Sequence, residues 1–402
     1  MIKILSLCLI VSTAVASCST SHDCSLNGEC VNSKCVCDKP WKNDKCDELI
    51  VNDAYDVRFS IRIHLTSQTL TLELQAYRNA SEASWGGNVV HVNGTYHLFV
   101  AQMALSCGLE HWGTNSMIIR ATSENASGPY AFQDVVVQPF AHNPTIRKLP
   151  NGKGFVIFFI GGSVSKPVDC RQNRTTHTRS LSSSTLLGGA IHAVFAPSVE
   201  GPWSDPVQIT FTQNKSVADS EWGSAVTNPS PFIHPDGTVT LALQRAYNKN
   251  KGKELIGVAR SDTDWRGPYT MITSTPVEPE HFYCVAGTGE DPFLWSSSRG
   301  LHIIYHGMCP TGFLEAHYAF SEDNGTSWTV SKHQTYPYEF HNIDGSSHFF
   351  ARVERPQLLF DPSTGNPSYL INGVCEGDSL SEINTCLFKQ AGMTWTAFRS
   401  LG

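Results

Sequence analysis

The sequence predicts an all-β protein, a five-bladed β-propeller preceded by a small disulfide-rich module. Three observations carry this reading. A strand–turn–strand unit recurs five times between residues 81 and 402, and six cysteines crowd into residues 18–46. Charged residues make up only 16% of a chain rich in glycine, a balance that favours β-rich globular folds over helical bundles or disorder.

The chain opens with Met1-Ile2-Lys3, an apolar run from Ile4 to Val11 and the small residues Ala14-Val15-Ala16. This order of positive start, apolar stretch and small-residue cleavage site marks residues 1–16 as a signal peptide, too short to span a bilayer. The expected product is a secreted, extracellular protein. Of the 13 cysteines, Cys8 lies in the segment to be removed, and the remaining even number can all pair in an oxidising compartment. Sequons at Asn79, Asn93, Asn125, Asn173, Asn214 and Asn324 suit a glycoprotein.

Residues 17–47 form the first domain. A segment this short cannot be held by burial, so covalent links must supply its order. Six cysteines permit fifteen connectivities. The spacing Cys35-Val36-Cys37 with Cys46 beyond it resembles the EGF-like domain, and that resemblance implies Cys18 with Cys30, Cys24 with Cys35 and Cys37 with Cys46. Pro40-Trp41 stand where such domains usually carry glycines. No acidic lead precedes Cys18, so calcium is not expected there, and a spacer or a surface for protein contacts is the expected role. Residues 48–80 read as a linker with a possible closing strand.

The propeller, residues 81–402, rests on its repeats. The copies open at Asn88, Asn143, Asn228, Asp291 and Arg355, usually with proline next, and each reaches a turn at Gly94, Gly152, Gly237, Gly300 or Gly365. Asn-Gly and Asp-Gly are hairpin turns because both central positions need positive φ. A second unit follows: Ser127-Gly-Pro-Tyr130, Glu200-Gly-Pro-Trp203, Arg266-Gly-Pro-Tyr269, then Ser321-Glu-Asp-Asn-Gly-Thr-Ser-Trp328. The last is similar to the Asp-box of sialidases, a hairpin signature lying away from catalysis. Five units imply five blades. The stretch from Gly162 to Gly188 reads as an inserted loop. Ring closure is expected from a strand within 57–74 or 386–398, which would remove exposed sheet edges. Proximity suggests the pairs Cys107–Cys170, Cys284–Cys309 and Cys375–Cys386.

A formal net charge of −7 without long runs shows no surface for nucleic acid. No second apolar stretch is long enough for membrane insertion. No Cys-x-x-Cys pair in the propeller suggests zinc. No cofactor is expected, although a central cation in the funnel is compatible with its residues.

In a propeller, the innermost strands point their opening residues at the central axis, where a ligand would sit. Asn88, Asn143, Asn228, Asp291 and Arg355 should therefore meet in one funnel, beside Trp85, His142, Thr227, Glu290 and Glu354. This pattern, with Glu290-Asp291-Pro292, resembles the five-bladed glycoside hydrolases of the arabinanase/xylosidase group (family 43) and the invertase group. In those families the first three blades carry an Asp, an Asp and a Glu. Here the matching positions are Asn88, Asn143 and Asn228, amides that cannot exchange protons near neutral pH. Hydrolysis would then need a rearranged set, because it requires one protonated and one ionised carboxyl. Asp291 is expected ionised, with Glu221 or Glu354 as proton donor and Glu290 beside them. Glu110 is a further loop carboxylate. His142, His306 and His317 would orient hydroxyls, and Trp85, Trp112 and Trp222 would stack on sugar rings. Two readings follow: a glycosidase acting on a polysaccharide, or a non-catalytic glycan-binding or adhesion propeller on an EGF-like stem.

Overall fold

The computed structural model describes residues 18–52, 76–79, 81–162, 167–171, 190–212, 220–250, 253–278, 289–308, 314–341, 347–376 and 392–402. Five antiparallel sheets account for the propeller. Blade one runs Ser84–Val92, Thr95–Met103, Ser116–Ser123 and Ala131–Val137, and blade two Ala141–Lys148, Phe155–Gly161, Ala190–Ala196 and Val207–Gln208. Blade three runs Trp222–Ile233, Val239–Tyr247, Lys253–Ser261 and Thr270–Met271, and blade four Gly289–Ser296, Leu301–Met308, Leu314–Ser321 and Thr329–Val330. Blade five takes Ser347–Phe360, Pro367–Glu376 and Thr394–Ser400, with a short leading strand, Glu339–His341.

Ring closure is made by Ala76–Tyr77, which pairs with Ala397 and Thr396 on the outside of blade five. The closing strand thus begins just after the expected 57–74 window, of which nothing is described. The other expected window ends inside the third strand of blade five. A strand from before blade one completes the last sheet, so that edge is paired.

Apolar residues alternate along these strands, so each blade shares buried clusters with both of its neighbours. Phe99 and Ile118 meet Ile146 and Ile157 between blades one and two. Val156 and Phe158 meet Trp222 and Leu241 between two and three. Ala242 and Ile256 meet Leu294 and Ile303 between three and four. Leu98 and Val100 meet Ile371 and Phe398 across the closure.

The fifth interface recruits the N-terminal module. Leu26, Trp41 and Leu49 join Phe293, Trp295, Tyr318, Val353 and Leu370 in one cluster. Trp41 stacks on Trp295 at 6.4 Å, and the Tyr318 hydroxyl donates to the Ser25 carbonyl at 2.7 Å. Arg299 pairs with Asp38 at 2.5 Å, and Asp47 accepts from His333 Nδ1 at 3.0 Å. Farther along, Leu49 N donates to Thr335 O and Gly402 N to Ile50 O. The module is packed on the hairpin-turn side of blades four and five, not held away on a stalk.

Its three disulfides are Cys18–Cys30, Cys24–Cys35 and Cys37–Cys46, the pairing the EGF-like resemblance implies. Cys107–Cys170 also forms and ties the loops above blades one and two. Cys284, Cys309 and Cys386 lie outside the described residues, as do Asn173 and Asn214. Asn93, Asn125 and Asn324 stand on exposed turns.

The Asp-box of blade four is a hydrogen-bonded hairpin. Asp323 accepts from Thr326 N, Ser327 N and Ser327 Oγ, and Trp328 Nε1 donates to Gly325 O. It faces away from the funnel and carries structure only.

Candidate active site

Every inner strand breaks its ladder at the same place. The register shifts between Trp85 and Asn88, His142 and Thr145, Thr227 and Ser230, Glu290 and Phe293, and Glu354 and Gln357. The residue after each break point adopts left-handed backbone: Gly86, Asn143, Asn228, Asp291 and Arg355 have φ of 61, 54, 48, 52 and 52°. Asn and Asp tolerate that region better than most side chains. An arginine there is unusual, and such outliers cluster at functional sites. The bulge turns each side chain toward the axis.

This alignment corrects the first copy of the repeat. Gly86, not Asn88, is the counterpart of Asn143, Asn228, Asp291 and Arg355. Asn88 lies two residues farther along, level with Thr145, where its Oδ1 accepts from Arg147 Nη1 at 3.1 Å. Arg147 also donates to Pro231 O at 2.7 Å and Leu294 O at 3.2 Å. It thereby plugs the channel beneath the funnel, bridging blades one, three and four.

At the axis, Asn143 Nδ2 donates to Asn228 Oδ1 at 2.8 Å and Asp291 Oδ1 at 3.1 Å. Asn228 in turn donates to Gln244 Oε1. Arg355 Nη1 donates to Asp291 Oδ1 at 3.2 Å, and Nη2 to Pro144 O at 3.2 Å. The two amides therefore hold the wall of the site together.

The ionisable centre is Glu290, Asp291, His306 and Glu354. His306 comes from the second strand of blade four, opposite Glu290, and is fully buried. Its Nε2 lies 3.6 Å from Glu290 Oε2 and 4.0 Å from Glu354 Oε2, and its Nδ1 3.7 Å from Asp291 Oδ2. Neither nitrogen makes a hydrogen bond among the described residues. Burial opposes charge on His306, but the three carboxylates outweigh it and raise its pKa. Burial pushes Asp291 up to about 6, despite the opposing pull of Arg355 and His306. Glu290 moves the other way: burial works against its charge, yet His306, Gln244 and Arg352 hold it below the usual glutamate range. The Glu290 side chain is 32% exposed, that of Asp291 only 5%. Glu290, Asp291 and His306 bring polar atoms within 4.8 Å of one another, with the Arg355 guanidinium already on Asp291 Oδ1.

The other expected residues divide between this centre and the surrounding blades. Asp291, expected ionised, has its pKa raised by burial to about 6. Glu354, an expected donor, is held by Arg352 Nη1 at 2.7 Å. Glu221 pairs instead with Lys249 at 3.1 Å, and its described bonds do not reach the centre. Glu110 lies beside His111 at 3.4 Å. Trp85 and Trp222 are 3% and 4% exposed core residues with no open ring face for a sugar. Trp222 spends its indole N–H on Thr273 O at 2.7 Å. Trp112 is the partly exposed one, set 5.1 Å from the His142 ring. His142 shares a hydrogen bond with Ser116 Oγ at 2.8 Å, and burial lowers its pKa well below the usual value. His317 stacks on Tyr305 at 5.2 Å and is lowered to about 4 by burial and then His306.

One carboxyl escaped the sequence reading. Glu254, second residue of the third strand of blade three, accepts from Thr227 Oγ1 at 3.5 Å and has its pKa raised by burial and by Glu290. It sits in no motif. Only the antiparallel fold of Lys253–Ser261 against Val239–Tyr247 returns it to the funnel side.

No protein-family description matches the chain, and no curated protein matches it. Solved structures do. The chain is similar to a thermostable family-43 glycoside hydrolase, at 12% identity over 81% of this chain and 92% of that one, with a TM-score of 0.51. It is similar to an alpha-L-arabinofuranosidase from Lactobacillus brevis at 12% identity, covering 81% and 92% of the two chains, TM-score 0.51. An endo-1,4-beta-xylanase from Bacteroides thetaiotaomicron gives 13% identity, 81% and 91% coverage, and a TM-score of 0.51. At such identities the likeness shows the five-bladed fold, and function has to be argued from the site.

Proposed function

We propose that the chain is an extracellular glycoside hydrolase acting on a polysaccharide through Asp291 and Glu290. The observation that carries this is the opposite displacement of two adjacent carboxyls at the axis, Asp291 up to about 6 and Glu290 downward. Environments that push paired carboxyls apart are how acid and base roles are assigned at one pH. Asp291 Oδ1 already accepts from Asn143 and Arg355, which leaves Oδ2 to carry the proton toward a leaving-group oxygen. Glu290, ionised and the more exposed of the two, takes a proton from the water that bonds to the anomeric carbon as the glycosidic bond breaks and the leaving oxygen keeps the Asp291 proton. His306 lies between them and holds the balance of charge. Trp112 supplies an apolar ring face at the rim. The disulfides fit an extracellular site of action.

A second reading is favoured by one observation. The inner-strand positions that carry carboxylates in the resembled enzymes are Gly86, Asn143 and Asn228 here, so a funnel of this fold could bind glycan without cutting it.

Reducing-sugar release from a polysaccharide panel, run on wild type, Asp291→Asn and Glu290→Gln beside a glycan-binding assay, separates the two. Hydrolysis lost in both variants with binding retained supports the enzyme. Absence of release by wild type from every substrate, with binding equal in all three proteins, establishes the binding propeller instead.

A further inference from the structure

Arg355 is the fifth member of the axial ring, and it does not stay in its own blade. From blade five its guanidinium reaches Asp291 Oδ1 in blade four at 3.2 Å, and Pro144 O and Thr145 Oγ1 in blade two at 3.2 and 3.5 Å. Its stem crosses blade one at Gly86. A Cβ on Gly86 would lie 2.3 Å from Arg355 Cδ, 2.9 Å from Nε and 3.0 Å from Cγ. The side chain is 1% exposed, so little room exists for it to move aside. Blade one's missing side chain is the space through which the arginine passes.

We propose that Arg355 is a positioning residue that fixes the Asp291 carboxyl for proton transfer, and that Gly86 is the residue whose bareness lets it do so. This rests on the reading of Asp291 as the proton donor. Two donors converge on the same oxygen, Asn143 Nδ2 at 3.1 Å and Arg355 Nη1 at 3.2 Å, so the carboxyl plane is set and Oδ2 is left toward His306. A bidentate-capable, planar cation holds that geometry, where a lysine would supply only a point charge. The left-handed backbone of Arg355 and Asp291 gives the two side chains their common direction.

The test reads the carboxyl directly and needs no substrate. Asp-labelled protein is followed by carbon NMR of the side-chain carboxyls across pH, with Asp291→Asn assigning the signal. Arg355→Gln should raise the Asp291 midpoint by about one unit or more, since a nearby cation lowers a carboxyl by that order. Gly86→Ala, which alters no charge, should raise it in the same direction by displacing the guanidinium. Arg355→Lys should restore most of the midpoint while leaving kcat on any cleaved substrate reduced at least tenfold, with KM little changed. An Asp291 midpoint unmoved in Arg355→Gln overturns the proposal, and so does full turnover in Arg355→Lys. If Gly86→Ala fails to fold, Arg355→Gln, which adds no bulk, still decides. Absence of hydrolysis by wild type would remove the glycosidase reading but leave the titration result to stand on its own.

Discussion

His306 stands between Glu290 and Asp291, Nε2 3.6 Å from the one and Nδ1 3.7 Å from the other. An imidazole so placed ties the protonation of the two carboxyls together, and they titrate as a unit.

The pH profile should show this. With Asp291 at about 6 and Glu290 below the usual glutamate range, turnover should plateau in mild acid. It should fall as pH rises through about 6, where the donor loses its proton, and fall again only below the ordinary carboxylate range. Stability follows the same group. A folded pKa raised above the ordinary aspartate value of 3.8 contributes stability that is present below that value and lost as pH rises through about 6. Initial rates and urea midpoints across pH check both, and a rate that climbs steadily beyond pH 7 would exclude Asp291 as donor.

Trp41→Ala should cost about 3–5 kcal/mol, the usual range for a large aromatic removed from a core. Trp41 is 5% exposed against Trp295 and Tyr318, so module and propeller should unfold together. Urea denaturation followed by fluorescence and circular dichroism measures it. A loss below about 1 kcal/mol would mean the module contributes little to the common core.

Replacing Cys107 and Cys170 together by alanine should lower stability by about 2–5 kcal/mol. The bridge joins segments 63 residues apart in sequence and holds the loops above blades one and two. Thermal melting with and without reductant gives the comparison: reductant also opens the module's disulfides, so both proteins fall, but the gap between them should close.

Asp323→Ala should destabilise the protein by about 1–2 kcal/mol, an unsatisfied-hairpin cost, while leaving the funnel's chemistry intact. Burial raises the Asp323 pKa, but its bonds from Ser327, Ser321 and Thr326 outweigh that and lower it. The stabilisation is therefore present above the unfolded value and lost as pH falls through the folded one. Melting at pH 7 and pH 3 should show the wild-type advantage shrinking in acid.

The blade count was legible because hairpins need residues of a special kind at their turns. Gly152, Gly237 and Gly300 recur at fixed distance from Asn143, Asn228 and Asp291, and all three have positive φ. The first copy was misread by two residues because Gly86-Gly87 offers no polar side chain to mark the bulge, and Asn88 stood nearby. Glu290, Asp291 and His306 could be named from strand starts and alternation. Glu254 could not, since its place depends on a strand folding back. Composition does not say which face of an aromatic is covered, so Trp85 and Trp222 read as platforms in the sequence while the blades bury them. Nor does any local pattern reveal that Trp41 seeks Trp295, a contact made across the whole chain.

That contact has a bearing on how the molecule is made. The cysteine-rich segment precedes all five blades in the chain, yet Leu49 and Ile50 find their backbone partners at Thr335 and Gly402. Until blade four is made, Leu26, Trp41 and Leu49 lack the Phe293, Trp295 and Tyr318 side chains that cover them. Synthesis therefore leaves an apolar surface open while the intervening blades are made, and a chain halted among them would present that surface to whatever chaperone or neighbour it met.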